Sequence, residues 1–480
     1  MSWWTAVPFI LLAVKLLLVV VTLTFFVSGV DDGFIDLCFL ALAARDRLVP
    51  SALRSVDVDA LRATPEQPIA IMIAAWHEAD VIRAMLHSAV ERLEYGAYHI
   101  FVGTYPNDPD THREVDAVAA EVPHVHRVVT PRPGPTCKAD CLNAIYAAIR
   151  DFEVQAGVRF AMYVLQDAED VLHPQQLRLF NRLIPDYDMV QIPVLPLTRG
   201  AMALTCGHYV DEFAESHYKN MRVRAAMHGG VPSAGVGTAF SRAAMAMLET
   251  YADVGEVFNT ASVTEDYELG VKLRRAGARQ LFAWVELPPQ PGSDAWDPIV
   301  VREFFPARFS AAVRQKSRWM VGITLQAWKN LGWSGIAIID YMLARDRKNL
   351  WTSLTNVLGY VSLASVTLVF LAETFVPDAY RYPPLIRSGT WLYRLIIADT
   401  GFLAWRLAAR AGCVYRLYGM EQALLSLPRQ LWGNFVNFGA AVRAARTYVT
   451  AAITGRRIAW AKTDHAFPIA PGASGADVAA

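Results

Sequence analysis

Apolar positions along the chain fall into two regimes. Residues 7–27 form an apolar run interrupted only by Lys15, Thr22 and Thr24; as a helix this run covers ~30 Å, enough to cross a hydrocarbon core. Residues 350–375 form a second run, preceded by Arg345, Arg347 and Lys348. A third, residues 391–409, carries Arg394, Asp399 and Arg406, charges whose cost in lipid predicts a helix facing protein, with Asp399 paired to a nearby Arg. Between the first and second runs the pattern changes. Short strand-like stretches at 69–75, 98–103, 125–130 and 160–165 alternate with helical segments, the pattern of an α/β sheet domain.

This pattern divides the chain into an N-terminal membrane helix (1–29), a connecting helical segment (30–67), an α/β domain (68–300), juxtamembrane helices (301–345), a membrane hairpin (346–412), an interfacial helical segment (413–468) and a disordered tail (469–480). Asp31, Asp32 and Asp36 argue against a further crossing after residue 30. Basic clusters at Arg345 to Lys348 and at Arg406, Arg410 and Arg416 flank the second and third runs on one side. The positive-inside rule makes that side cytoplasmic, so three crossings put the α/β domain in the cytoplasm.

Composition agrees. Hydrophobic residues make up 54% and charged residues 19%, and mean hydropathy is +0.24, values that suit a chain in contact with a lipid bilayer. With 45 basic and 45 acidic residues the net charge is zero, which removes the electrostatic case for a nucleic-acid partner. Five scattered cysteines make no disulfide scaffold and point to a reducing compartment. His77, Glu78 and His87 do not make a zinc-protease motif, because Val81 stands where the second histidine is required.

In open α/β sheets ligands sit beyond the carboxyl ends of the strands, where Trp76, His77, Glu78, Asp108, Asp110 and Asp167 fall. Four segments then carry chemistry: KADCLN (138–143), DAED (167–170), TED (264–266) and QKSRW (315–319). Asp167 and Glu169, alternate positions leaving a strand, form a convergent carboxylate pair whose repulsion a hard cation, Mg²⁺ or Mn²⁺, relieves; Asp170 is a third metal candidate. An exposed acidic turn is the simpler alternative. Asp266 can serve as a general base, although Thr264, Glu265 and Asp266 also suit the start of the helix expected over 267–276. Arg318 matches diphosphate oxygens and Trp319 can wall a sugar ring; the same basic stretch also suits lipid headgroups.

Taken in order, with the Gly-rich GVPSAGVGTAF (230–240), these segments resemble processive family 2 glycosyltransferases of the cellulose and chitin synthase type. DAEDVLHP (167–174), TEDYELGVKLRRAG (264–277) and WAKTDHAFP (460–468) are most similar to the bacteriophage-adsorption protein B family. The resemblance implies a GT-A, Rossmann-like cytoplasmic domain with transmembrane helices and inverting transfer from a sugar-nucleotide donor, with uridine as the expected base and an N-acetylhexosamine as one candidate sugar. It assigns Asp167, Glu169 and Asp170 to the metal, and Asp266, with Glu265 beside it, to catalysis. Trp76, Glu78, Asp108, Asp110, Lys138, Asp140 and Asn143 go to the nucleotide, and Gln315, Arg318 and Trp319 to the diphosphate and acceptor. The acceptor is a growing cell-surface glycan, with an outer-membrane export or receptor partner. Transfer to a lipid phosphate carrier, and a non-catalytic role in surface-glycan assembly, are the alternatives.

Overall fold

In a computed structural model the described residues are 3–48, 56–250, 256–289, 296–375, 384–458 and 465–468. The tail expected at 469–480 lies outside them. The four expected strands form at Ile69–Ala74 (β1), Tyr98–Thr104 (β2), Val125–Val129 (β3) and Met162–Gln166 (β4), followed by Met189–Gln191 (β5), Val194–Pro196 (β6), Thr238–Ser241 (β7) and Gln280–Phe282 (β8). Seven of these make one sheet in the order β3-β2-β1-β4-β7-β5-β8. All pairings are parallel except those of β7, which runs against both β4 and β5. Two small ribbons complete the domain: Glu286–Leu287 (β9) with Asp297–Pro298 (β10), and Val301–Glu303 (β11) beside β6.

Strand β1 is buried almost throughout, as its unbroken IAIMIA run requires of a strand covered on both faces. Helices Ile82–Arg92 and Lys138–Ala156 supply much of the cover, and one core cluster lies on each face. Strand order reverses direction between β1 and β4. Their carboxyl ends therefore open a crevice at a topological switch point.

The helical frame differs from the sequence reading. One helix, Trp3–Leu48, runs through the segment expected to be a separate connector from residue 30. Asp31, Asp32 and Asp36 are accommodated inside it by partners. Arg345 and Lys348 pair with Asp31 and Asp32, Arg406 with Asp32, and Lys219 with Asp36, while Trp405 Nε1 donates to Asp36 at 2.7 Å. Likewise Ala337–Phe375 is a single helix, not a surface piece followed by a span. Among the described residues, Pro8–Leu48 and Ala337–Phe375 are long and apolar enough to cross a membrane.

The hairpin and interfacial segments merge into Trp391–Thr454, broken at Gly419, where φ is 82° and ψ is −178°. That backbone is open only to glycine without strain. Asp399, expected to pair with an arginine, has no ion pair among the described residues; its Oδ1 is buried and has no hydrogen-bond partner. The second limb of this helix is bolted to the sheet domain. Arg429 and Asp211, each almost fully buried, form a two-point ion pair at 2.7 and 3.0 Å. Lys316 of the QKSRW segment joins Glu212, His208 and Asn437 in a second cluster.

Candidate active site

The crevice between β1 and β4 deepens into a cavity of about 310 Å³. Trp76 and Glu78 enter it from the loop after β1, and Asp167 and Glu169 from the turn after β4. Lys138 stands at the first position of its helix, and Glu265 and Asp266 open the helix Glu265–Arg275. Gln315, Arg318 and Trp319 close the far side. All four segments singled out in the sequence thus contribute side chains to one space.

Lys138 lies at the centre. Its ammonium contacts Asp167 and donates to Gly235 O at 3.3 Å. Burial opposes its charge, but Asp167, Glu265 and Asp266 outweigh that and hold its pKa above the ordinary lysine value. Opposite it, burial pushes Glu265 up to about 7, with Asp266 adding to the shift. Asp266 is also raised by burial, against which Lys138 favours the ionised form. Its Oδ1 accepts from the Tyr267 amide at 2.7 Å.

The Gly-rich segment sets the distance of closest approach. Gly235 has φ +77°, and a Cβ there would collide with Asp266 Oδ2. Gln191 holds this loop from below: its Oε1 accepts from Ala234 N (2.8 Å) and Thr238 Oγ1 (2.6 Å), while its Nε2 donates to Ile192 O and Val236 O. Gly322 serves the same end on the other wall, since a side chain there would strike Thr264.

The turn after β4 is organised by Asp170, whose Oδ2 accepts from the Asp167 amide at 2.7 Å. Asp170 is buried beneath the turn and does not line the cavity, which suits support of the pair better than direct ligation. Glu169 is 4% exposed, and its Oε2 has no hydrogen-bond partner. Burial raises its pKa to about 7, opposed by His465 and reinforced by Asp167 and Glu78. His465 bridges two carboxylates, with Nδ1 3.0 Å from Glu78 and Nε2 3.2 Å from Glu169. Phe467, two residues on, packs against the core.

Several expected nucleotide contacts are not brought to the cavity. Asp110 is exposed and pairs with Arg113. Asp140 pairs with Arg132 instead. Asn143 clasps the Phe258 backbone, donating to its O at 2.8 Å and accepting from its N at 2.9 Å, so its work is to pin the segment before TED. Asp108 acts from behind: it caps the helix Pro109–Glu121 and accepts from the His77 amide at 2.6 Å. That bond fixes the loop in which His77 adopts φ +54°, between Trp76 and Glu78. Glu303, Gln191, Asp346 and His465 line the site without having been singled out as site residues by the sequence. Of these only His465 had a signal, lying within WAKTDHAFP.

Residues 65–322, which contain KADCLN, DAED, TED and QKSRW, match the family described as glycosyltransferase like family 2. The chain belongs to this family. The family 2 chain is 40% identical over 473 residues to bacteriophage adsorption protein B of Escherichia coli strain K12, covering 96% of this chain and 63% of that protein. It matches bacteriophage N4 adsorption protein B of Escherichia coli O157:H7 to the same extent. The chain therefore spans less than two thirds of the length of these relatives. In structure it is similar to a mannosyltransferase from Pyrobaculum calidifontis in complex with GDP-Man and Mn²⁺, with a TM-score of 0.53 and 14% identity over 90% of this chain and 99% of the other. That likeness establishes the GT-A fold. The expected family and fold class are both borne out.

Among the described residues no group of three or more His, Cys, Asp or Glu forms a preassembled metal cage. The donor set still fits a hard divalent cation. Asp167 and the unpartnered Oε2 of buried Glu169 offer oxygen from one turn, and such ions commonly keep water and substrate phosphate for their remaining positions.

Proposed function

We propose that this family 2 glycosyltransferase transfers a sugar, with inversion, from a nucleotide-diphosphate sugar to a glycan acceptor at the cytoplasmic face of a bacterial inner membrane. The observation that carries the reading is the shared cavity of Lys138, the Asp167–Glu169 pair, Asp266 and Arg318. Cations and carboxylates in that arrangement serve the two ends of a displacement. Asp167 and Glu169 would hold a Mg²⁺ or Mn²⁺ ion, which would supply positive charge to offset that developing on the diphosphate. Lys138 and Arg318 bind the same diphosphate from the protein side, and Trp76 walls the nucleotide pocket. Asp266 takes the proton of the acceptor hydroxyl as it attacks the anomeric carbon. Its mostly buried setting strengthens each of these interactions.

Trp319 makes the apolar wall on the acceptor side, next to Phe305 and Tyr209. The two membrane-length helices and the bolted C-terminal helix support a membrane-bound acceptor. Likeness to phage-adsorption proteins favours a growing surface polysaccharide, delivered to an outer-membrane export or receptor partner. The test is a panel of UDP-, GDP- and other sugar nucleotides offered to the purified full chain with Mn²⁺ or Mg²⁺, products being read by mass. Transfer or hydrolysis of one donor, lost in Asp266→Asn while donor binding persists, is the expected result. Unchanged turnover in Asp266→Asn refutes the assignment of the base.

A further inference from the structure

A second cavity, of about 730 Å³, lies outside the catalytic crevice along the last turns of the C-terminal helix. It is lined by Arg443, Arg446, Arg456 and Arg457, and among the described residues no Asp or Glu contributes to it. The floor is apolar, from Val313, Phe438 and Val442, and Thr447, Thr450 and Thr454 add hydroxyls. Positions 443, 447, 450 and 454 recur at helical spacing, which puts them on one face. The helix then stops at Gly455, whose φ of +66° turns the chain so that Arg456 and Arg457 border the same cleft. None of the four guanidinium groups forms an ion pair among the described residues, and all four arginines are exposed. Four guanidinium groups gathered around one cavity, with no ion pair among the described residues, give it a positive potential that attracts an anion.

The position of the cleft indicates which anion. Ile458, on its rim, packs against the buried cluster of Val321, Ala440 and Ala444, and so do Leu350 and Leu354 of the helix Ala337–Phe375. Leu350 and Leu354 are where the apolar run of that helix begins, just after Arg345 and Lys348. The cleft thus sits at the level where a membrane-length helix leaves its polar end, the depth of lipid headgroups. Val449 and Ile453, 53% and 80% exposed, flank the arginine face with apolar surface that suits acyl chains. We propose that this cleft is a binding site for the phosphate headgroup of an acidic phospholipid, which anchors the end of the C-terminal helix against the helix Phe309–Trp319 that carries QKSRW. Val313, on the floor, is two residues before Gln315, so the occupant braces one wall of the catalytic cavity from behind.

The test uses the delipidated full chain in a non-ionic detergent, titrated with phosphatidylglycerol, phosphatidylcholine or inorganic phosphate, with bound lipid counted by native mass spectrometry. Phosphatidylglycerol should bind saturably and at least tenfold more tightly than phosphatidylcholine. In a variant with Arg443→Gln, Arg446→Gln, Arg456→Gln and Arg457→Gln that preference should vanish with the melting temperature unchanged. Arg456→Gln with Arg457→Gln, beyond the helix end, should give a partial loss with no effect on folding. Equal binding of the two lipids, or an undiminished preference in both variants, overturns the proposal. Displacement of phosphatidylglycerol by millimolar inorganic phosphate also overturns it, in favour of a soluble phosphoanion.

Discussion

Gly235→Ala isolates the approach of the Gly-rich loop to the proposed base. Two costs separate cleanly in this chain. The first is backbone strain: an L-residue at φ +77° costs about 1–2 kcal/mol. The second is local, since the new methyl would overlap Asp266 Oδ2 and drive the carboxylate from its place. Gly277 is the natural control, with φ +86° and nothing within 4 Å of the position its Cβ would take. Gly277→Ala therefore pays the strain alone. A displaced general base forfeits about 10²–10⁴ in rate, so Gly235→Ala should lose transfer by two orders of magnitude or more. Gly277→Ala should shift the melting temperature by a similar amount and keep its turnover. The assay is release of nucleoside diphosphate from the donor identified by the panel, alongside thermal melts of both variants. Equal turnover losses in the two variants would refute the claim that the loop acts through Asp266.

Glu153 provides a pH-dependent stability prediction. Its carboxylate accepts from the Phe160 amide at 2.8 Å and pairs with Arg242 through both guanidinium nitrogens. Burial raises its pKa, but Arg242 and the Phe160 amide more than offset this and hold it below the ordinary glutamate value. The stabilisation is thus complete above the unfolded pKa and lost as pH falls through the folded one. Glu153→Gln should cost about 1–3 kcal/mol at pH 7, and its melting curve should approach that of the parent as pH falls below the ordinary glutamate range; a gap independent of pH contradicts the pairing. Asp110→Ala should leave donor affinity unchanged, whereas Asp108→Ala, by freeing the His77 amide and the helix cap, should weaken it; calorimetric titration with the donor separates the two, and a loss confined to Asp110→Ala reverses the placement. Cys141 is buried, with its thiol pushed up to about 12 by burial, so in the folded chain at pH 8 it should resist maleimide while the half-buried Cys38 and Cys137 react; early modification of Cys141 by peptide mapping counts against this packing.

The strands and the four site segments were legible because each is local. Ile69, Ile71 and Ile73 announce a buried strand by themselves, and Asp167 and Glu169 advertise a convergent pair by their spacing. Longer-range facts were not legible in that way. Asp31, Asp32 and Asp36 look like a membrane boundary in sequence, yet Arg345, Lys348, Arg406 and Lys219 neutralise them within one continuous helix. Asn143 and Asp140 sit in the right segment, but a helix turns successive side chains to different faces, and only Lys138 of the three reaches the cavity. Gln191 gave no signal at all. Its value lies in four hydrogen bonds to residues 234–238, more than 40 residues away in sequence.

The contact of His465 with Glu78 and Glu169 has a consequence for biosynthesis. Both carboxylates leave the ribosome with the sheet domain, hundreds of residues before the histidine that bridges them. Between them the chain must deliver the apolar helix Ala337–Phe375 and the whole of Trp391–Thr454. A nascent sheet domain can fold by itself, as domains do during synthesis, but its cavity lacks the His465 contact until those helices are in place. Completion of the cavity therefore reports that the C-terminal helices are in place, and a chain stalled before them carries an open, unbridged carboxylate pair.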